Sequence, residues 1–455
     1  MEMVLEFLRD VLSQPALLIG IMSCIGLIAL KRPFHKIMTG TLKPILGYLM
    51  LAAGAGVIVS NLDPLGKMIE HGFHITGVVP NNEAIVAVAQ KVLGVETMSI
   101  LVVGLLMNLC IARFTKFKYV FLTGHHSLFM ACLMSAVLGT AGLSGMELIL
   151  VGGFLMGAWS AISPAIGQSY TSKVTDGDEI AIGHFGSLGY YLSAWVAKYV
   201  GKAEESTEDI EIPEKWGFLR DSTLSTALTM IVFYLIAAFA AGSEFVATLS
   251  GDMSPYLYAV MSAMNFAVGV TIVYSGVRMI LGDLIPAFQG IATKIIPNAI
   301  PAVDCAVFFT YAPTAVVLGF LSSFIGGIIG MLILGAVGGV LIIPGLVPHF
   351  FCGATAGIYG NATGGRRGAA VGAFLNGLAI TFLPALALPV LGQLGFQNTT
   401  FGDADFAVMG LVLGNAYEWI GMAGIYGIVA IAALVLIIPN FIKTKGKVIN
   451  YVEED

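Results

Sequence analysis

The chain carries few charged residues, and this scarcity excludes most soluble folds. Only 11% of its 455 residues are charged and 57% are apolar, whereas a soluble globular chain carries about 25% charged residues. So few charges cannot cover a surface that faces water. The formal net charge of −6 also argues against a protein that binds nucleic acid or anionic lipid.

Cysteines and catalytic motifs are scarce as well. The five cysteines stand singly in apolar segments, at Cys24, Cys110, Cys132, Cys305 and Cys352. This spacing indicates neither a disulfide framework nor a metal site, and such cysteines behave as small apolar core residues. No Walker loop, zinc-ligand spacing or nucleophile motif is present. We therefore expect no metal or cofactor, and no ATPase or hydrolase activity.

Long apolar segments are abundant instead. Eleven of them are long enough to cross a membrane as helices, at about 20 residues each: 14–30, 44–60, 95–112, 119–139, 145–164, 223–242, 256–278, 315–337, 340–361, 369–391 and 418–441. Two more, 181–199 and 402–416, are apolar but rich in glycine and polar residues, which is typical of re-entrant segments. The sequence predicts an all-α polytopic membrane protein with about eleven transmembrane helices in one domain, 1–455.

The basic residues predict the orientation, since they cluster on the cytoplasmic side of membrane proteins. With the N-terminus outside, all 22 basic residues except Arg9, Lys67 and Lys91 fall inside. The long polar interval at about 200–222 then forms a cytoplasmic loop, and 442–455 a cytoplasmic tail. The N-terminus is acidic and no cleavage site follows it, so we expect the first span to be retained.

An internal repeat relates the two parts of the chain. The segment Gly47-Tyr-Leu-Met-Leu-Ala-Ala-Gly54 aligns with Gly269-Val-Thr-Ile-Val-Tyr-Ser-Gly276 at an offset of 222 residues. In the predicted topology these segments run in opposite directions, so the halves, about 30–200 and 252–441, are inverted. Inverted repeats are typical of alternating-access transporters, whose solute site lies between the repeats. Duplication kept only for packing is the alternative.

Three polar residues in apolar surroundings are the strongest candidates for a solute site, because ionisable residues at membrane depth are costly and usually functional. His125 begins the fourth span and ranks above its neighbour His126. His184 lies between glycines in the first re-entrant segment, and Asp304 follows two prolines. The structural alternatives are a histidine that bonds a carbonyl, a solvated loop histidine, and an aspartate paired with Arg278.

Three weaker candidates belong to the first half. Asn82 and Glu83 occupy the place that corresponds to Asp304 in the repeat. Glu83 is either a ligand or a charge at the start of a half-helix. Gly54 either brings the backbone close to the solute or allows tight helix packing.

Several motifs, in their order along the chain, resemble the ascorbate-type enzyme IIC of bacterial phosphotransferase systems. They are Leu122-Thr-Gly-His125, Val174-Thr-Asp-Gly177 leading to Gly183-His184, Ala302-Val-Asp304-Cys305, Tyr311-Ala-Pro313-Thr-Ala-Val-Val-Leu-Gly-Phe320 and Ile342-Ile-Pro-Gly345. The resemblance covers almost the whole chain. The family pattern differs at Phe129 and Phe185, where it has glutamines, and at Asn82-Glu83, where it has Thr-Tyr.

The resemblance implies a homodimeric permease of the bacterial inner membrane, with V-shaped inverted motifs and a core domain that holds the solute. Such a protein takes up L-ascorbate, which a separate IIB protein phosphorylates from a phosphocysteine. The matching ligand positions would be Gly54, Asn82, Glu83, His125, His184 and Asp304. Asp304 would bind the solute and serve either as a general base or as a binding carboxylate only.

Two other classes of function remain open at this point. An ion-coupled secondary transporter of a sugar acid or polyol would use Asp304, Glu83 or the histidines as its coupling site. A membrane receptor or scaffold would carry no solute, and that function would not explain why the repeats are inverted. The transporter readings require a small-molecule solute and a lipid bilayer, and no nucleic acid.

Overall fold

Apolar helices dominate the computed structural model, which describes residues 11, 14–74, 77–80, 82–210, 222–392 and 399–441. The helices are α1 Pro15–Ala29, α2 Phe34–Phe73, α3 Asn82–Phe114, α4 Gly124–Thr140, α5 Gly145–Ile166, α6 Gln168–Thr175, α7 Ser187–Val200, α8 Ser222–Ala241, α9 Ser243–Ser250, α10 Pro255–Lys294, α11 Pro313–Ala336, α12 Leu346–Gly392, α13 Ala404–Ile420 and α14 Met422–Ile437. The strands are β1 Val79–Pro80, β2 Tyr119–Phe121, β3 Ala181–Ile182, β4 Ile300–Val303 and β5 Thr399–Thr400, and two 3-10 helices cover Cys305–Thr310 and Ile438–Phe441.

Within the described residues, seven helices are long and apolar enough to cross a membrane. An eighth span results if Thr226–Ala241 and Ser243–Ser250, which meet at a bend of 116°, are taken together. The all-α polytopic class is therefore confirmed. The number of eleven crossings stays a prediction.

Two helices are much longer than the spans predicted from hydropathy. Helices α2 and α10 have 40 residues each, which at 1.5 Å per residue makes them about 60 Å long. That length exceeds the hydrocarbon core of a bilayer, which is about 30 Å thick. Hydropathy located only their apolar centres, at 44–60 and 256–278.

The predicted fourth span, 119–139, is not one continuous helix. It is strand β2 followed by helix α4, whose 17 residues are nearly all buried in protein. The two segments predicted to be re-entrant contain strand β3 with helix α7, and helix α13 behind strand β5. The strands in these segments pair in parallel ladders, which satisfies backbone groups that a membrane protein cannot leave exposed to lipid.

Helix α12 is a hairpin of two arms. The dihedral angles are non-helical at Gly364 and Gly365, and φ is +59° at Gly365. A Cβ atom added to Gly360 would lie 2.4 Å from the backbone oxygen of Gly368. These residues lie on opposite sides of the break, so the chain reverses there, and the two arms correspond to the separate spans predicted at 340–361 and 369–391.

Two small parallel ladders join the halves of the chain. In the larger one, β4 lies between β2 and β3. In the smaller one, β1 pairs with β5, and the adjacent Val78 bridges to Ile342. The second half thus supplies the middle strand of one ladder, and the first half supplies the middle segment of the other.

Helices α2 and α10 cross through their glycines with the same reciprocity. Added Cβ atoms at Gly47 and Gly54 would meet the backbone oxygens of Gly276 and Gly269, at 2.8 and 2.7 Å, and the reverse contacts also hold. Since the repeat equates Gly47 with Gly269 and Gly54 with Gly276, this is the contact pattern of a two-fold relation. The limits of the two halves, 30–200 and 252–441, stay a prediction.

Candidate functional site

A cavity of about 1140 Å³ lies between one face of α2, the ends of the strands and the start of the α12 hairpin. We call it the central cavity. Most of its wall is apolar, and a cluster of polar side chains lies in one part of it. Such a wall, with a few convergent polar groups, is typical of small-molecule sites.

Strand ends bring the polar residues together. Strand β2 leads through Thr123 into helix α4, where His125 and His126 are in the first turn, and β3 and β4 are followed by His184 and Asp304. Because all three strands are parallel, these residues follow the same edge of the ladder. All four line the central cavity.

His125 and Asp304 form an ion pair across the junction of the halves, provided that the histidine is protonated. Nε2 of His125 lies 3.3 Å from Oδ2 of Asp304, and Nδ1 lies 3.2 Å from the hydroxyl oxygen of Tyr48 on α2. Asp304 also accepts a hydrogen bond of 3.1 Å from the backbone N–H of Ala306, as the N-cap of the 3-10 helix. The Asp304 side chain is 8% exposed and that of His125 is 38% exposed, so solute can reach the histidine.

His126 and His184 form a second pair, with ring centroids 3.8 Å apart. Nδ1 of His126 accepts a hydrogen bond of 3.2 Å from the backbone N–H of Phe185. Nδ1 of His184 accepts one of 3.2 Å from that of Gly186, and the hydroxyl of Tyr190 lies 2.7 Å away. A nitrogen that accepts from an N–H group carries no proton, so these bonds assign both rings as neutral, with the proton on Nε2. Each histidine therefore offers one N–H donor to a ligand.

A further polar group comes from the opposite ladder. Oδ2 of Asp403 accepts a hydrogen bond of 2.6 Å from Nδ2 of Asn82, and Oδ1 accepts one of 2.7 Å from the thiol of Cys352. The backbone N–H of Gly402 donates to Oδ1 of Asn82 at 2.9 Å. Asn82 and Asp403 line the central cavity, so both ladders contribute polar side chains to one wall.

Two groups in this cluster have the composition of metal sites. His126, His184 and Asp403 could each offer an atom within 4.8 Å of the others, and so could His184, Asp304 and Cys305. A histidine that binds a metal normally donates its other ring N–H to an oxygen. Here Nδ1 of both histidines accepts instead. The pattern favours a hydrogen-bonded solute over a metal ion.

The structure brings four of the six predicted ligands into the cavity wall: Asn82, His125, His184 and Asp304. Gly54 lies instead in the crossing of α2 and α10, against Gly269 and Val273, and does not belong to the described wall. The side chain of Glu83 lies outside the described residues. Whether each of these residues binds solute stays a prediction.

Sequence reasoning missed four residues of the polar cluster: Tyr48, Tyr190, Cys352 and Asp403. It also ranked His126 below His125, although both line the cavity. The strands relate Asp403 to the first half of the chain, because Gly402-Asp403 follows β5 as Gly183-His184 follows β3.

The two phenylalanines at which the sequence departs from the ascorbate-type pattern lie in different places. Phe129 lines the central cavity. The ring of Phe185 stacks on Phe121, with centroids 4.6 Å apart, and is fully buried. Of these two phenylalanines, only Phe129 changes the described wall of the cavity.

Comparison with known proteins places the chain in a family. A family model described as "PTS system sugar-specific permease component" (EIIC-GAT) matches residues 10–405. The chain therefore belongs to this family of multi-pass membrane proteins, as its motifs predicted.

One curated relative is the "Ascorbate-specific PTS system EIIC component" of Mycoplasma pneumoniae (strain ATCC 29342 / M129 / Subtype 1). It is 28% identical over 417 residues, which cover 78% of this chain and 62% of the relative. The chain thus spans less than two thirds of the length of that relative.

Proposed function

We propose that this protein is the IIC permease of a phosphoenolpyruvate-dependent phosphotransferase system and that its solute is L-ascorbate. The observation that carries the proposal is the meeting of His125, His126, His184 and Asp304 at the edge of one ladder in the central cavity. Ascorbate is an anion near neutral pH, so the N–H group of the partly exposed His125 suits its charged end. A carboxylate suits its hydroxyls, which are hydrogen-bond donors.

Transport proceeds by alternating access. The core domain, which holds the solute at the junction of the inverted halves, moves relative to a scaffold and carries the solute from periplasm to cytoplasm. Phosphorylation in the cytoplasm adds about two negative charges, which prevent return.

Asp304 is the general base of the phosphorylation step. A solute hydroxyl oxygen attacks the phosphorus of a phosphocysteine on a separate IIB protein, and the P–S bond breaks with its electrons passing to sulfur. The hydroxyl proton passes to Asp304. In the simpler alternative, Asp304 only binds the solute.

The same proposal includes the membrane, the oligomeric state and the partner protein. The chain lies in the bacterial inner membrane as a homodimer, with its N-terminus in the periplasm and its C-terminus in the cytoplasm. The IIB protein docks on the basic cytoplasmic loops, which carry Arg113, Lys116 and Lys118.

Uptake by membrane vesicles separates this function from ion-coupled transport. Vesicles that contain the protein are loaded with purified phospho-IIB, and radiolabelled L-ascorbate is supplied outside. We expect ascorbate phosphate to accumulate only with phospho-IIB. Accumulation of unmodified ascorbate, driven by a proton or sodium gradient without IIB, would overturn the phosphotransferase proposal and support a secondary transporter.

The Asp304→Asn variant tests the role of the carboxylate. We expect weaker ascorbate binding because the ion pair with His125 and the acceptor for solute hydroxyls are lost, and slower phosphorylation of bound solute because the base is lost. Asp283→Asn is a matched control, since Asp283 pairs with Lys43 at 3.6 Å outside the cavity wall. Unchanged affinity of Asp304→Asn would remove Asp304 from the site. Weaker binding without slower phosphorylation would leave it as a binding residue only.

A further inference from the structure

Asp403 is a buried carboxylate in the wall of the central cavity, and the mechanism above gives it no role. It is 4% exposed and faces the same cavity as Asp304 and the histidines. A buried carboxylate is costly unless hydrogen-bond donors surround it. The donors around Asp403 therefore show what the residue is placed to do.

Asp403 lies where an aspartate commonly caps a helix, but among the described residues its side chain does not act as a cap. Asp403 is the N-cap of helix α13, and its side chain makes no capping hydrogen bond within the described part of the chain. Such a bond usually contributes about 1 kcal/mol. Asp304, at the start of its 3-10 helix, does make one, to the N–H of Ala306. The carboxylate of Asp403 points instead toward Asn82 and Cys352, at the cavity.

The hydrogen bonds that Asp403 receives do not fill its capacity. A carboxylate has about four acceptor positions, and the described residues supply two donors, one of them a thiol, which donates weakly. Asp405, two residues along and outside the cavity wall, receives three bonds, from the side chains of Trp159 and Ser187 and the N–H of Leu188. Acceptor positions are thus left over on the carboxylate that a solute can reach.

The neighbours of Asp403 define the chemical group that would fit. A carboxylate oxygen of Asp403 and ring nitrogens of His126 and His184 lie within 4.8 Å of one another. One oxygen atom can bridge that span with two hydrogen bonds of about 2.8 Å. That oxygen must donate to the carboxylate, and the histidine N–H groups assigned above are donors from which it can accept. A hydroxyl does both, whereas an ammonium group cannot accept and a second anion cannot donate.

We propose that Asp403 is a second solute-binding carboxylate, which accepts a hydrogen bond from a side-chain hydroxyl of the solute and selects for polyhydroxylated molecules. Asn82 and Cys352 are positioning residues that hold the carboxylate toward the cavity. The inference rests on the proposed function. For ascorbate, the enediolate end would be repelled by Asp403, so the uncharged diol end, C5 and C6, lies there.

The test is a binding titration on the purified, detergent-solubilised protein, with no phosphoryl donor present. The ligands are L-ascorbate, its 5-deoxy and 6-deoxy analogues, and the matching 5-deoxy-5-fluoro and 6-deoxy-6-fluoro analogues. The proteins are the wild type, Asp403→Asn and Glu208→Gln as a control outside the cavity. Fluorine can accept but cannot donate, so it reports on the hydrogen bond to the carboxylate alone.

We expect the wild type to bind L-ascorbate at least tenfold more tightly than one of the deoxy analogues. The fluoro analogue at that same position should bind as weakly as the deoxy analogue. Asp403→Asn should reduce this preference to threefold or less, and Glu208→Gln should keep it. A preference retained in Asp403→Asn, or two fluoro analogues that both bind the wild type as well as ascorbate does, would overturn the inference and leave the proposed function standing. The fluoro comparison needs only the wild type, so it decides even if the variant does not fold. Failure of the wild type to bind any of these ligands would instead overturn the proposed solute, and the inference with it.

Discussion

The Gly54→Ala substitution tests the crossing of the two long helices. An added Cβ atom would lie 2.7 Å from the backbone oxygen of Gly269 and 2.8 Å from the backbone nitrogen of Val273. Ordinary contacts of this kind are 3.4–4 Å. Backbone atoms in a helix cannot turn aside as a side chain does, so α2 and α10 must move apart. Overpacking of this kind costs about 1–3 kcal/mol.

Alanine also forms helices better than glycine, by about 1 kcal/mol, which offsets part of that cost. We therefore expect Gly54→Ala to lower the free energy of unfolding by up to about 2 kcal/mol. The matched control is Gly56→Ala on the same helix, where no described atom lies within 4 Å of the added Cβ. That variant should be neutral or stabilised by up to about 1 kcal/mol.

The assay is denaturant unfolding of the purified protein in detergent, together with ascorbate binding. Gly54→Ala should lose stability and keep its affinity for solute, because Gly54 lies in the crossing and not in the described cavity wall. Gly269→Ala should lose a similar amount of stability. The double variant should lose less than the sum of the two single losses, because one separation of the helices accommodates both added Cβ atoms. Equal stability of Gly54→Ala and Gly56→Ala would refute the reasoning. Weaker binding at unchanged stability would support direct contact between Gly54 and solute.

Three other substitutions probe features around the site. Tyr190→Phe removes the 2.7 Å contact to Nδ1 of His184 and should raise the dissociation constant for ascorbate about three- to tenfold in a binding titration. Gly365→Ala places a Cβ 2.3 Å from a backbone oxygen at a φ of +59° and should lower the unfolding free energy by more than about 2 kcal/mol. Glu208→Gln weakens the bonds that the carboxylate accepts at the start of α11, at 2.8 Å from the Thr314 hydroxyl and 3.0 Å from its N–H. It should cost about 1 kcal/mol in the same unfolding measurement.

Each of these has a control in the chain. Tyr191→Phe removes a hydrogen bond to the backbone oxygen of Ser163, away from the cavity, and should leave affinity unchanged. Gly427→Ala adds a Cβ with no described atom within 4 Å. Asp252→Asn changes an exposed carboxylate. Equal effects in a variant and its control would contradict the corresponding prediction.

The helices of this fold were predictable from the sequence because lipid demands long apolar segments, and hydropathy detects them directly. The strands were not. Strand β3 has two residues and β4 has four, too few to show the alternation that identifies a strand. Strand β2 lies at the start of an apolar segment, so 119–139 resembled one continuous helix.

The site was predictable in part for a related reason. His184 and Asp304 stand out because a lone ionisable residue among apolar ones is conspicuous. Asp403 follows Gly402 and precedes Ala404-Asp405, a context typical of an ordinary helix N-cap, so the sequence did not mark it as a site residue. Only the ladders show that Asp403 and His184 occupy corresponding places. The neutral state of His126 and His184 depends on backbone N–H groups whose direction no sequence pattern reveals.

The exchange of middle strands between the halves has a consequence for biosynthesis. Strand β4 is made long after β2 and β3, and until it leaves the ribosome their edges have no native partner. The ladder that begins in the first half of the chain therefore stays incomplete until the second half has been made. A nascent chain stalled before residue 300 would carry its histidines without Asp304, the aspartate that pairs with His125, so the polar cluster can assemble only after β4 has been made.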